Sequence, residues 1–363
     1  MTEPNDLSSA VLRARFAASL GEGARPSRWL AAFADVPREH FVPSFYRQDG
    51  QGRWYEISED DPGYLEAVYS DTALTTQLDA DGVPTSSSSE PGLMLTMLDA
   101  LDAEPGHRLF ELGLGTGYNA ALASSLLGSD NVVSVDVDPD LVQRAQQHLH
   151  KGRYRPHVFA GDGAEGCPDR APYDRIIATA ALRRIPQALL TQARPGAVIV
   201  APLGFGVARF VVAEAGEATG RFLPTPAYFM QRRHPTKAPD FAGLERKAGT
   251  ATSVPVADVL DRLKFPLSLA LPGYRSCSWR NDEGEVTGVG LWTEDGSTAT
   301  LHASGRARQI GPRRLWDAVE ELVSVFPEGV APAREDFGLT VTPAGQRVWY
   351  GEADGPSWAL YRS

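Results

Sequence analysis

The chain has 363 residues, enough for about two domains, and its 42% hydrophobic and 22% charged residues are the balance of a soluble globular fold. A formal net charge of −11 with no long basic run argues against nonspecific binding to DNA or RNA. No apolar run approaches the ~18 residues that span a bilayer, no apolar leader follows the acidic start at Glu3 and Asp6, and two cysteines, Cys167 and Cys277, supply neither a disulfide framework nor metal-ligand spacing. These features predict a cytoplasmic protein with no structural metal and no nucleic-acid or membrane partner.

In chain order, the first expected element is a helix over 7–20, where Val11, Leu12, Phe16 and Leu20 recur at helical spacing. Ser27 is placed to cap a second helix carrying Trp29, Leu30 and Phe33, which must end near Pro37. Residues 46–64 are polar and gather Glu56, Glu59, Asp60 and Asp61, so they read as a solvated loop. Asp79-Ala80-Asp81 and the run Ser86-Ser87-Ser88-Ser89 read the same way. Pro91 suits a first helical position, and Leu93, Met97, Leu98 and Leu101 then share one side of a helix.

The run from Leu109 to Gly117 is the strongest chemical signal. A short apolar strand holding Glu111 breaks into Gly113, Gly115 and Gly117, the way a buried parallel strand turns into a helix around a nucleotide. A dinucleotide site calls for G-x-G-x-x-G, whereas this chain has G-x-G-x-G followed by Tyr118-Asn119. Glu111 would repel a phosphate but suits a cationic amino group. S-adenosylmethionine, with an ammonium, a sulfonium and no phosphate, fits that loop; a purely structural turn is the competing reading. Asn131–Asp136 reads as a second buried strand with Asp136 placed for ribose hydroxyls. Val158–Gly163 reads as a third, with Asp162 set between glycines, Gly163 among them, to accept from an adenine amino group. Tyr173–Ala180 and Gly196–Pro202 supply a fourth and fifth. Either aspartate alone could be a turn or cap residue, but three carboxylates at strand ends point together to a cofactor pocket. The pattern predicts an α/β fold, a Rossmann-like class I methyltransferase core with a doubly wound, mostly parallel sheet.

Two more strands are expected at 209–213 and 227–231, and the polar stretch 236–252 reads as a linker after a methyltransferase domain spanning 1–235. Residues 253–363 alternate short apolar and polar runs, as in Gly288–Trp292 and Gln346–Tyr350, around one amphipathic helix after Pro312 with Leu315, Val319, Leu322, Val323 and Phe326 on a face. This predicts a smaller C-terminal α+β domain. Its tryptophans, Trp279, Trp292, Trp349 and Trp358, suggest either a peptide-docking module or simply a core.

Several short motifs, in order, resemble the protein L-isoaspartate O-methyltransferase family over about residues 10–233. They are Val36-Pro37-Arg38-Glu39-His40-Phe41-Val42-Pro43, Tyr69-Ser70-Asp71, Ser89-Glu90-Pro91, Leu112–Tyr118, Gly161–Gly166, Thr179-Ala180-Ala181, Ile185-Pro186 and Gln192–Gly196. The resemblance implies methyl transfer from S-adenosylmethionine to a peptide carboxylate, the ester then cyclising to a succinimide. By that resemblance Ser89 is the hydroxyl that orients the acceptor, with Asp71 beside it as a candidate catalytic residue and Ser88 as a candidate substrate contact. Ser89 could equally serve as a helix cap before Pro91.

The chain departs from the family's pattern in its serine run, in the pair Arg183-Arg184 after the fourth strand, and in the domain after residue 250. The two arginines, in a turn expected at the ligand edge of the sheet, could hold an acidic peptide or simply be solvated. The long form resembles actinobacterial homologues that accompany ribosomally made, post-translationally modified peptides. The expected partner is thus a peptide or protein Asp or isoAsp carboxylate, in natural-product maturation first and general isoaspartyl repair second. A cofactor-binding scaffold without catalysis is the reading from another class.

Overall fold

The computed structural model describes residues 4–22, 27–213, 216–230, 239–302 and 305–360. They form two compact units: one of residues 1–180, 186–201 and 209–218, the other of 181–185, 202–208 and 219–363. The chain therefore passes between the units several times.

The first unit opens with helices α1 (Pro4–Leu20) and α2 (Trp29–Asp35). Helix α2 ends where Pro37 forbids continuation. Its Trp29 and Phe33 are buried, and the Trp29 indole donates to the Leu98 carbonyl. Next come β1 (Ser44–Gln48), β2 (Trp54–Ser58), α3 (Tyr64–Val68), β3 (Leu74–Leu78) and β4 (Pro84–Ser88). The four strands make an antiparallel sheet in the order β2-β1-β3-β4. This corrects the expectation of loops: 46–64 contains a hairpin, and the serine run is mostly strand. Asp79 is the turn residue of the second hairpin, its Oδ1 accepting from the backbone of Asp81 and Val83.

Helix α4 (Pro91–Leu101) starts on Pro91 and buries Met94, Leu95, Met97, Leu98 and Leu101. The core then alternates strand and helix: β5 (Leu109–Leu112), α5 (Tyr118–Leu127), β6 (Val132–Asp136), α6 (Pro139–Lys151), β7 (His157–Ala160), β8 (Tyr173–Ala178), α7 (Gln187–Thr191), β9 (Ala193–Leu203) and β10 (Gly206–Val212). Asp138 caps α6 by accepting from Asp140 and Leu141, and Pro139 fills the first helical position. In this unit the sheet order is β10-β9-β8-β5-β6-β7, with β9, β8, β5, β6 and β7 mutually parallel. The order reverses at β5, so the crevice at the carboxyl ends of β5 and β8 is the topological switch point where such sheets hold ligands. The class I methyltransferase fold expected from the sequence is present.

The second unit contains most of β11 (Ala218–Pro226), then α8 (Ala242–Glu245), β12 (Thr250–Ala251), α9 (Val256–Leu260), α10 (Lys264–Ala270), β13 (Arg275–Arg280), β14 (Val286–Trp292), β15 (Thr298–His302), β16 (Arg306–Ile310), α11 (Leu315–Val325), β17 (Phe337–Thr342), β18 (Gly345–Tyr350) and β19 (Ser357–Ala359). β12 to β16 form an antiparallel sheet in the order β12-β16-β15-β14-β13, and β19-β18-β17-β11 run side by side. The strand expected at 227–231 is displaced: β11 ends at Pro226, and Gln231 lies outside the described residues. The stretch read as a linker holds α8 and β12 in its described part. Trp292, Trp349 and Trp358 are buried, and the half-exposed Trp279 stacks on His302 at 4.9 Å.

Candidate active site

Strand β5 is buried at all four positions, so Glu111 is a carboxylate inside the sheet. Its Oε2 accepts from the Ser134 hydroxyl at 2.5 Å and its Oε1 from the Asn119 amide at 2.6 Å. Burial pushes its pKa up to about 7, against the pull of those two hydrogen bonds. The Asn119 Oδ1 is itself buried with no hydrogen-bond partner among the described residues. A carboxylate and an orphaned carbonyl oxygen side by side are acceptors waiting for a cationic donor, and the ammonium of S-adenosylmethionine is such a group. The glycines leave the space. Gly113, at φ +103°, has no room for a Cβ because the Thr179 hydroxyl lies against it, donating to the Gly113 carbonyl at 2.5 Å. Gly117 packs closely on Ala145 and Leu149 of α6. Gly115, at φ +53°, is the open one, with Ser87 O and Ser86 Oγ nearest at 3.7 and 3.8 Å.

Asp136 ends β6 half-exposed, its Oδ2 accepting from the Gly115 amide at 2.9 Å and its Oδ1 from the Asp138 amide at 3.2 Å. The carboxylate is thereby fixed beside the glycine loop, with lone pairs left for hydroxyl donors. Asp162 is exposed and caps a short 3-10 turn over 163–165 by accepting from the Ala164 amide at 2.8 Å. Gly163 is buried against Leu112 and Val135, where a Cβ would collide. Glu111, Gly113, Gly115, Gly117, Asp136, Asp162 and Gly163 therefore gather at one edge of the sheet, and their chemistry fits the cofactor.

Ser89 stands between β4 and α4, half-exposed, and its hydroxyl has no hydrogen-bond partner among the described residues. Asp71 is exposed. Its Oδ1 accepts from the Gly92 amide at 2.6 Å in the first turn of α4. Ser88 faces inward: its side chain is buried and its hydroxyl accepts from Arg38 at 3.2 and 3.3 Å, so it is a scaffold atom rather than an exposed contact. Sequence reasoning gave Arg38 no role. It is fully buried and donates to the carbonyls of Val68, Ser70, Thr72, Ser88 and Ser89 at 2.9–3.4 Å. Burial lowers its pKa to about 10. The neighbouring Glu39 accepts from Ser9 and Tyr69, and the Tyr64 hydroxyl donates to the Val42 carbonyl at 2.7 Å. The only signal available for Arg38 was its place in Val36–Pro43.

Arg183 and Arg184 belong to the second unit. Arg183 is paired with Glu294 and lies against Gly273. Arg184 is half-exposed and carries no partner among the described residues.

A model of the protein-L-isoaspartate(D-aspartate) O-methyltransferase family matches residues 22–214. The protein-L-isoaspartate O-methyltransferase of Methanopyrus kandleri is 34% identical over 183 residues, 50% of this chain and 70% of that one. The protein of the same name from Azorhizobium caulinodans is 36% identical over 194 residues, 53% of this chain and 77% of its own. A solved structure of a protein-L-isoaspartate O-methyltransferase superposes with a TM-score of 0.56 at 20% identity, covering 94% of this chain and 100% of that one. The fold likeness thus reaches past the family-matched region into the C-terminal residues, so that region is not peculiar to this chain. With the glycine loop, the strand-end carboxylates and the matched span in agreement, the chain belongs to the protein-L-isoaspartate(D-aspartate) O-methyltransferase family of S-adenosylmethionine-dependent enzymes.

Proposed function

We propose that this chain methylates the carboxylate of an L-isoaspartyl residue in a peptide or protein, the general repair reaction, with Ser89 orienting the acceptor. The observation that carries the reading is the Ser89 hydroxyl, half-exposed and uncommitted at the end of a strand whose Ser87 carbonyl lies 3.7 Å from where a Gly115 Cβ would stand. Bound S-adenosylmethionine would supply the sulfonium methyl group. Glu111 and Asn119 would hold its ammonium, Asp136 its ribose hydroxyls and Asp162 its adenine amino group.

An acceptor carboxylate with a pKa near ~4 is ionised at neutral pH, so no side chain has to remove a proton. The work left to the protein is to strip water from the carboxylate and to aim one oxygen at the methyl group. A hydroxyl donating to the other oxygen does this without neutralising the nucleophile. Asp71 positions the turn that carries the hydroxyl, its carboxylate accepting from the Gly92 amide.

An isoaspartyl test peptide with labelled S-adenosylmethionine tests the reading. Methyl ester should form, and Ser89→Ala should lower kcat by roughly 10–100-fold while the cofactor Kd stays within about threefold. Turnover confined to a genetically encoded Asp of a cyclised, ribosomally made peptide would replace repair with natural-product maturation, the ester then closing to an aspartimide. Cofactor binding with no transfer to either peptide class would leave a scaffold.

A further inference from the structure

We propose that Arg38 is a positioning residue for methyl transfer, acting through Ser89; the inference rests on the reaction proposed above. Arg38 is fully buried, yet no carboxylate pairs with it among the described residues. Its acceptors are five backbone carbonyls and one hydroxyl from two chain segments. Nη1 donates to Val68 and Ser70 at 2.9 and 3.1 Å; Nη2 donates to Thr72, Ser88 and Ser89 at 3.2, 3.4 and 3.2 Å; Nε donates to the Ser88 hydroxyl at 3.3 Å. Sealing a guanidinium away from water is costly, and an apolar side chain would fill the same volume more cheaply. What an apolar residue lacks is a rigid planar fork able to hold two segments in fixed register.

Those two segments meet at the candidate catalytic turn. The first carries Asp71, whose Oδ1 accepts from the Gly92 amide at 2.6 Å. The second ends in Ser89, whose carbonyl Arg38 holds. Ser89 is thus pinned through its own carbonyl by Arg38, and through Gly92, three residues on, by Asp71. Only Glu90, at φ −56° and ψ 120°, and Pro91, with its fixed φ, lie between. The anchors set the direction of the Ser89 Cα–Cβ bond, and its hydroxyl, lacking a partner of its own, inherits that aim. A lysine would keep the charge but offers three donors from a single nitrogen, too few and too clustered to reach both segments.

A double-mutant cycle in kcat on an isoaspartyl peptide tests the coupling, using wild type, Arg38→Lys, Ser89→Ala and the double variant. Arg38→Lys should lower kcat by roughly tenfold or more with the cofactor Kd within about threefold, and the double variant should be no slower than Ser89→Ala by more than about threefold. Losses that multiply, or a lowered melting temperature with an unchanged kcat for the folded fraction, would overturn the inference. If Arg38→Lys does not fold, Ser88→Ala removes one acceptor of the same guanidinium. It should lower kcat by roughly 3–10-fold in wild type and hardly at all in Ser89→Ala; an equal loss in both backgrounds would again overturn it. Wild-type turnover with additive variants removes the role of Arg38 alone, whereas absence of wild-type turnover on the peptide overturns the proposed reaction and this inference together.

Discussion

Glu111 sits in a strand buried at every position, and its pKa is raised from 4.5 to about 7, chiefly by loss of water. A folded state that binds its proton more tightly than the unfolded chain is most stable below pH 4.5, and that advantage is lost as pH rises through 7. The full swing is about 3 kcal/mol by order of magnitude. Glu111→Gln can still accept from Asn119 and can donate to the Ser134 hydroxyl. The variant should melt at a higher temperature than wild type at pH 8 and show a flatter stability profile between pH 5 and 7.5, read by thermal melts across that range. A cation beside the carboxylate favours its ionised form, so the affinity of the wild type for S-adenosylmethionine should rise toward and past pH 7, and the substitution should flatten that rise too. Parallel pH profiles for both proteins would remove Glu111 from the ammonium site. Glu111 and Asp136 were legible in the sequence because each ends or interrupts an apolar run. Arg38 was not, because its acceptors lie 30–51 residues away and are carbonyls, which every residue has.

At the scale of elements, β5 to β9 were legible because each is a short apolar run closed by a polar turn. The four-stranded sheet was not. Trp54–Ser58 and Pro84–Ser88 have little apolar alternation, and what makes them strands is hairpin pairing with the preceding strand, as Gln48 with Trp54 and Leu74 with Ser88. The serine run, read as a solvated loop, is therefore a held edge, and Ser89 leaves it in a defined direction. The glycine loop shows the opposite case, where local conformation dictates the residue. Gly113→Ala would combine a positive φ of +103° with a collision on Thr179, whereas Gly196→Ala would meet the same backbone penalty, φ +82°, with nothing within 4 Å. The first should cost more than about 2 kcal/mol and raise the cofactor Kd at least tenfold; the second should cost about 1 kcal/mol and leave Kd unchanged. Equal effects in denaturant melts and in calorimetric binding would show that the Thr179 contact gives way freely.

Over the whole molecule, a linear reading cuts the chain once, while contacts divide it into interleaved segments. Residues 181–185 follow directly on β8 of the first unit yet belong to the second. The tie is visible in atoms. The Ile185 amide donates to the Gln346 Oε1 at 2.8 Å, and the Gln346 Nε2 donates to the Ile185 carbonyl at 2.6 Å, across 161 residues. Ile185 is fully buried and Gln346 is 5% exposed, so water cannot replace either bond. A glutamine mimics a strand's backbone here, which no sequence periodicity reveals. A chain ending at 235 would lose both of these Ile185 bonds. Gln346→Ala keeps the rest of the chain and removes the same two bonds. Each orphaned buried group costs ~1–3 kcal/mol, so the variant should lose about 2–5 kcal/mol. With roughly 2–4 °C per kcal/mol for a unit of this size, its melting temperature should fall by roughly 5–15 °C. Gln346→Glu keeps the acceptor and, when ionised, loses the donor, so its deficit should grow as pH rises above the carboxylate range. A Gln346→Ala protein that melts with the wild type would show that 181–185 draws its hold from elsewhere.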